Sequence, residues 1–171
     1  MRTLHPVNGL FGKDVVVEDT GERRARVEDV IFDRETRRVA ALLVGGGLLG
    51  GRRFVRWGEI LGLGDVIVVR GGTEFPRLKE DPELSGLHKN SHTITGTDVI
   101  HAGEKIGRVS DIFVDDSGTI AGYEVSRGLL GDLRGRRFLP VEQVEAAGKD
   151  AILSRISDLP PVGETVRRAG G

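Results

Sequence analysis

The sequence predicts an all-β protein made of two small β-barrels in tandem, with at most short helical turns. The chain repeats itself, because residues 12–70 align on residues 96–155, and each copy alternates short β-branched runs with glycine-containing turns. Glycine accounts for 26 of the 171 residues without a three-residue period, which fits many tight turns and excludes collagen. Five or six short strands in about 60 residues favour a barrel, since closure removes exposed strand edges.

The individual elements follow from local patterns. Four apolar or β-branched runs predict strands in the first copy: residues 15–17, 27–32, 39–44 and 66–69. The turn at 33–38 joins the two longest runs, and its counterpart at 115–118 begins with Asp and ends with Gly, which supplies a positive φ. Residues 57–63 and 141–147 are the segments of each copy predicted to form a helical turn.

The repeat is most evident in two motifs. GLLG stands at 47–50 and again at 128–131, and RRF stands at 52–54 and again at 136–138. The offset between the copies drifts only between 81 and 85, so the insertions are small and fall at turns. The sequence therefore predicts a duplicated domain, with barrels at 1–70 and 96–155. Residues 71–95, which contain two prolines and a run of charges, are interpreted as a linker, and 156–171 as a C-terminal tail.

Composition narrows the function classes. The net charge of −1 argues against a general DNA or RNA binder, because phosphate contacts usually require a basic excess. The absence of cysteine excludes disulfides, a thiol nucleophile and a thiolate zinc site. No apolar stretch approaches the ~18 residues of a membrane span, and residues 1–12 lack a signal-peptide pattern, so a cytoplasmic location is expected.

The residues at 103–115 (GEKIGRVSDIFVD) and 118–126 (GTIAGYEVS) resemble the PRC-barrel domain, and residues 21–44 are a more divergent copy of the same pattern. That domain also occurs in the cytoplasmic part of the photosynthetic reaction centre H subunit and in the C-terminal half of a ribosome-maturation factor. Tandem PRC-barrel proteins of bacteria look most similar. The resemblance implies a compact barrel that binds other proteins or lies near membranes and assemblies, and it supplies no catalytic residues.

Two motifs raise the question of a ligand. Residues 45–50 fit G-x-G-x-x-G, but strand-like residues follow instead of a helix, and the second copy breaks the motif, so no cofactor is expected. Asp29, Asp33, Asp111 and Asp115 recur as D-x-x-x-D in both copies and are weak candidates for a cation site. The favoured interpretation is structural, with the aspartates accepting backbone N–H groups at bulges and turns.

His88 and His92 have metal-like spacing only if they lie on a helix, and the pair is interpreted as solvated, whereas His5 and His101 are isolated. No Ser-His-Asp arrangement or nucleophile elbow stands out, so no enzyme activity is expected.

The matched leucines and arginines are the favoured site. Apolar residues at a hairpin tip must plug the barrel end, pack the two copies together or contact a partner. Arginines beside them suit a carboxylate or phosphate surface. The candidate partner-binding residues are Leu48, Leu49, Arg52, Arg53, Leu129, Leu130, Arg136 and Arg137.

The leading functional hypothesis is a non-enzymatic adaptor that binds a protein partner. The alternatives are a ribosome or RNA-assembly factor and a protein that binds a metal or small ligand. Peripheral association with a membrane is also compatible with the sequence.

Overall fold

The strands follow the repeat of the sequence. A computed structural model describes residues 2–46, 50–91 and 94–169. After β1 (Arg2–Pro6), six strands form the first barrel: β2 (Asp14–Val17), β3 (Arg23–Asp33), β4 (Arg38–Gly45), β5 (Arg53–Arg56), β6 (Ile60–Leu63) and β7 (Ile67–Val69). Six more form the second barrel: β8 (Asp98–His101), β9 (Glu104–Val114), β10 (Ile120–Ser126), β11 (Arg137–Pro140), β12 (Val144–Ala147) and β13 (Ala151–Ser154). The last strand is β14 (Val166–Arg168).

The two barrels have the same strand order, which confirms the predicted fold class. The order is β5-β4-β3-β2-β7-β6 in the first and β11-β10-β9-β8-β13-β12 in the second. Each barrel has a parallel pair of strands that joins the two antiparallel parts of its sheet. The pair is β2 with β7 in the first barrel and β8 with β13 in the second. Short 3-10 turns at Trp57–Glu59 and Val141–Gln143 lie where helical turns were predicted.

One hydrophobic core runs through both barrels. Alternating side chains of β3 and β9, such as Val27 and Val109, point inward because successive strand residues face opposite sides of a sheet. Leu42 and Tyr123 belong to the same buried cluster. The barrels are therefore packed against each other through apolar surface.

The turns at 33–38 and 115–118, each of which begins with an aspartate, meet between the barrels. The N–H of Val39 donates to the carbonyl of Gly118 at 2.8 Å, and the N–H of Ile120 donates to the carbonyl of Arg37 at 2.9 Å. The Trp57 indole N–H donates to the Asp116 carbonyl at 3.2 Å. Gly118 has φ +82°, and a Cβ there would lie 2.8 Å from the Trp57 ring, so both the turn and the contact require glycine.

The outer face of the first barrel is covered by α1 (Pro82–Ser91). Leu84 of this helix and Leu78 before it pack on Ile31 and Leu43 of β3 and β4. Continuous apolar runs such as 30–32 and 41–44 are buried on both faces, as is typical of strands that another element covers. The helix is therefore part of the fold of the first barrel.

The outer face of the second barrel is covered by both ends of the chain. β1 pairs in parallel with β14 and antiparallel with β9, and α3 (Val162–Thr165) packs beside them. Leu4, Val162 and Val166 bury Phe113 and Phe138. The first strand of the chain is thus built into the second barrel.

Two segments predicted as a linker and a tail carry secondary structure. Residues 71–95 contain α1, and residues 156–171 contain α3 and β14. Within them, residues 76–78 hydrogen-bond along β5, and residues 160–162 hydrogen-bond along β11 in the same way. The repeat therefore includes these edge segments, although their sequences differ.

Candidate functional site

The loop between β10 and β11, residues 127–136, presents apolar side chains to solvent and is here called the leucine loop. It contains the short helix α2 (Gly128–Gly131). Leu129, Leu130 and Leu133 are 94%, 85% and 79% exposed, whereas the other large exposed hydrophobic side chains of the described residues do not exceed 44%. Leu129 and Leu130 therefore neither plug the barrel nor pack the two copies together.

Asp132 fixes the conformation of the leucine loop. Its carboxylate accepts hydrogen bonds from the Ser126 hydroxyl at 2.6 Å and from the Arg127 N–H at 2.8 Å. Its own N–H donates to the Gly128 carbonyl at 2.9 Å. Burial acts to raise the pKa of Asp132, but these hydrogen bonds and the charge of Arg136 outweigh it and hold the pKa below its usual value. The leucines are thus displayed by an ordered loop.

The predicted arginines of this copy do not both border the leucines. Arg136 turns toward Glu124, with Nη1 and Oε1 2.8 Å apart, and that hydrogen bond raises the pKa of Arg136. Arg137 lies half-buried on β11, and its Nε has no hydrogen-bond partner among the described residues. Arg127, Arg134 and Arg136 are the exposed cations of the loop, and the sequence prediction did not include Arg127.

Glu124 is a buried carboxylate beside the leucine loop. It lies in β10 with 3% of its surface exposed. Its Oε1 accepts hydrogen bonds from Arg136 and from the Ser110 hydroxyl at 2.8 Å, and its Oε2 accepts one from Arg168 at 3.0 Å. Glu124 therefore ties the base of the loop to β9 and β14.

Each half of the chain matches the same known domain. The family model of the PRC-barrel domain matches twice, over residues 4–75 and 88–159. The chain belongs to the PRC-barrel family. No match is found among curated proteins. PRC-barrel domains are in general non-catalytic interaction domains, and the protein is a tandem PRC-barrel protein as the sequence predicted.

Each PRC-barrel match begins with a segment that packs on the opposite barrel. The first match begins at residue 4, where β1 pairs with β9 of the second barrel, and the second begins at residue 88, within the helix that packs on β3 of the first. The two copies thus exchange their leading segments within one chain.

The predicted site residues of the first PRC-barrel copy are only partly described. Leu48 and Leu49 lie outside the described residues. Arg52 is exposed, whereas Arg53 donates to the carbonyls of Gly50 and Phe75 at 3.1 and 2.8 Å. The structure places Arg52 and Arg53 in the first barrel and Arg136 and Arg137 at the matching places of the second, not in one cluster.

The recurring aspartates bind backbone amides. Asp33 Oδ1 accepts the N–H of Glu35 at 3.0 Å, and Asp115 Oδ1 accepts those of Ser117 and Thr119 at 2.9 and 3.0 Å. This is the geometry of the turn-opening role that the sequence favoured.

Asp29 and Asp111 lie beside bulges of β3 and β9 and accept the N–H of the residue that follows, at 2.8 and 2.7 Å. Asp111 also accepts the N–H of Asn8 at 3.0 Å, and Asp29 lies 3.1 Å from Nε2 of His88. In the described parts of the chain, no three His, Asp or Glu side chains are grouped to hold a metal ion.

His88 differs from the solvated state that was expected for the pair at 88 and 92. His88 is buried on α1 against Asp29, and His5 is buried with Nε2 2.6 Å from a carboxylate oxygen of Asp116. The Nδ1 of His101 lies 3.0 Å from the Ser154 carbonyl, and His92 lies outside the described residues. Within the described part of the chain, no helix is both long and apolar enough to cross a membrane.

Asp132 and Leu133 were missed because these two residues have no counterpart in the first copy. Four residues separate Gly131 from Arg136, but one residue separates Gly50 from Arg52. The three-residue insertion itself was the available signal, since inserted loop residues are where function is often added.

Proposed function

We propose that this tandem PRC-barrel protein is a non-enzymatic protein-interaction module of the bacterial cytoplasm, and that the leucine loop is its docking element. The observation that carries the proposal is the exposure of Leu129, Leu130 and Leu133 on a loop that is fixed by hydrogen bonds. Large apolar side chains grouped in solvent are typical of binding surfaces.

The exposed side chains of the leucine loop favour a partner with an apolar recess that is surrounded by acidic groups. Burial of a leucine side chain contributes about 2 kcal/mol, so an apolar recess that receives two or three of them gives substantial affinity. Because Asp132 already orders the loop, little conformational entropy is lost on docking. Exposed Arg127 and Arg134 at its ends favour a recess that carboxylates surround.

The test is affinity capture with a matched pair of variants. The double variant Leu129→Asp/Leu130→Asp places charges in the docking element and is expected to lose the captured partner, with affinity reduced at least about 100-fold. Leu61→Asp, at a 44% exposed leucine of the first barrel, is the control and is expected to retain it. Thermal unfolding of both variants checks that the fold is intact.

Two outcomes would contradict the proposal. The same partner captured by a folded Leu129→Asp/Leu130→Asp variant would place the docking surface elsewhere. Salt-sensitive co-sedimentation with ribosomal subunits, unaffected by that variant, would favour the ribosome-assembly alternative instead.

A further inference from the structure

Two surface pockets occupy equivalent places in the two barrels. Each lies beside the edge strand, β5 or β11, where the chain returns to pair with that strand. After the three-residue insertion the offset between the copies is 84, and five lining positions of the first pocket match five of the second: Gly51, Arg52, Arg77, Leu78 and Lys79 match Gly135, Arg136, Pro161, Val162 and Gly163.

In the second barrel, two of the three cations that line the pocket pair with a carboxylate of the chain itself. Glu124 lines this pocket and pairs with Arg136 at 2.8 Å and with Arg168 at 3.0 Å. Both guanidinium groups are half exposed, but both are directed at this one buried carboxylate. The chain itself therefore supplies the anion for this pocket.

In the first barrel the equivalent carboxylate is missing. Leu43 lies opposite Asp29 in β3, as Glu124 lies opposite Asp111 in β9, and Leu43 is buried under α1. Arg52, the counterpart of Arg136, thus has an apolar side chain where Arg136 has its partner.

The first pocket is strongly cationic. It has a volume of about 580 Å³, and its lining includes the exposed side chains of Arg52, Arg77, Lys79 and Lys89. In the described parts of the chain none of these four is in an ion pair with a carboxylate, and its lining includes no acidic residue. The buried His88 at this site is directed at Asp29, 3.1 Å away.

We propose that the first-barrel pocket binds a small polyanion that carries two or more phosphate or carboxylate groups. Four like charges around one concavity repel each other, and a bound anion relieves this repulsion. Arginine presents a planar pair of donors that fits carboxylate and phosphate oxygens. In the second barrel, Arg136 donates one such hydrogen bond to Glu124. The pocket volume is within the range of small-molecule sites, roughly 300–1,000 Å³. This site is in the other barrel from the leucine loop, and its existence does not depend on that loop.

The test is a titration of the isotope-labelled full chain with inorganic pyrophosphate and, in parallel, with citrate, followed by amide NMR at physiological salt. We expect saturable shifts confined to residues 50–52, 77–79 and 85–89. Arg52→Gln and Lys79→Gln are each expected to weaken binding about tenfold, because each removes a charge-assisted contact. Lys105→Gln, at an exposed lysine that already pairs with Asp98 at 3.0 Å, is the control and leaves the affinity unchanged.

A reciprocal exchange tests the equivalence of the pockets. Leu43→Glu supplies the internal carboxylate and is expected to abolish binding, whereas Glu124→Leu releases Arg136 and Arg168 and is expected to create a second site at residues 134–136 and 161–164. If Leu43→Glu fails to fold, Arg52→Gln and Glu124→Leu carry the test. Shifts that never saturate, that spread over all basic surface or that saturate with unchanged affinity in Arg52→Gln overturn the proposal. Saturation by pyrophosphate alone assigns phosphate, and saturation by citrate assigns carboxylate.

Discussion

The two barrels are alike in their interiors and different on their outer faces. Strand order is the same in both, and so is the strand register, which places Asp29 opposite Leu43 and Asp111 opposite Glu124. On the outside, α1 covers the first barrel with apolar side chains. The second barrel is covered by β1, α3 and β14, and beside them Glu124 pairs with Arg136 and Arg168. The duplication has thus preserved the residues that build a barrel and changed those that surround it.

The loops after β4 and β10 differ in the same manner. The second copy carries three additional residues, and they bring Asp132, which fixes the loop, together with Leu133, which extends its apolar surface. We infer that the copies have divided their roles, because an exposed apolar loop is described in the second barrel and an unneutralised cationic pocket in the first.

The largest expected effect concerns α1. Leu84→Ala removes a side chain that is 1% exposed and leaves a cavity against Ile31 and Leu43, so the free energy of unfolding should fall by about 3 kcal/mol. The free energy of unfolding is measured by urea denaturation, with the fluorescence of Trp57 as the signal. Lys89→Ala, on the exposed side of the same helix, should change stability by less than about 0.5 kcal/mol. Equal, small effects of both changes would mean that α1 is a linker and not a cover of the barrel.

A smaller effect should distinguish Gly122 from its counterpart, Ala41. A Cβ at Gly122 would lie 2.5 Å from the Phe138 ring and 2.6 Å from the Leu139 carbonyl oxygen, so Gly122→Ala should destabilise the fold by about 2 kcal/mol. The first barrel already holds an alanine there, and Ala41→Gly should cost only about 1 kcal/mol. Thermal unfolding of the two variants gives the comparison, and a larger loss of stability for Ala41→Gly than for Gly122→Ala would contradict the close packing at Gly122.

The smallest effect concerns the pH dependence of stability. Burial, together with the charge of Glu124, raises the pKa of Asp111 in spite of its amide hydrogen bonds and the charge of Arg168. The folded state therefore holds this proton to a higher pH than the unfolded chain, so the contribution of Asp111 to stability decreases as pH rises through the raised pKa. Asp111→Asn, whose side-chain carbonyl can still accept the amides, should remove this decrease.

Asp98 provides the control of opposite sign. Its hydrogen bond from Lys105 lowers the pKa of Asp98, so its contribution is present above the unfolded pKa and is lost as pH falls through the lowered value. Urea unfolding between pH 3 and 7 should show that Asp98→Asn and Asp111→Asn change the slope in opposite directions. A slope unchanged by Asp111→Asn would contradict the assignment of a raised pKa.

Much of the fold could be predicted because the repeat and the turn residues are local signals. The Asp33 and Asp115 turns and the bulge aspartates accept the backbone N–H groups that turn and bulge chemistry indicated. The helix at 82–91 was not predicted, although Asp81 accepts the Leu84 N–H at 3.0 Å as an N-cap and Pro82 occupies the first helical position. The run of charges around it favoured a linker, and only tertiary packing shows that Leu84 is buried.

The candidate site was predicted in part. Matching of the copies identified Leu129 and Leu130, whose exposure the structure shows, but it could not identify Leu133, which the first copy lacks. The same matching treated Arg52 and Arg136 as equivalent. Their difference depends on a cross-strand neighbour, Leu43 or Glu124, and such neighbours are set by register and not by local sequence.

The most direct measurement of the proposed function is hydrogen exchange of the full chain with and without its captured partner. We expect that protection on binding is concentrated at residues 127–136 and that it disappears in Leu129→Asp/Leu130→Asp. Protection concentrated elsewhere, with no change at residues 127–136, would contradict the assignment of the leucine loop as the docking element.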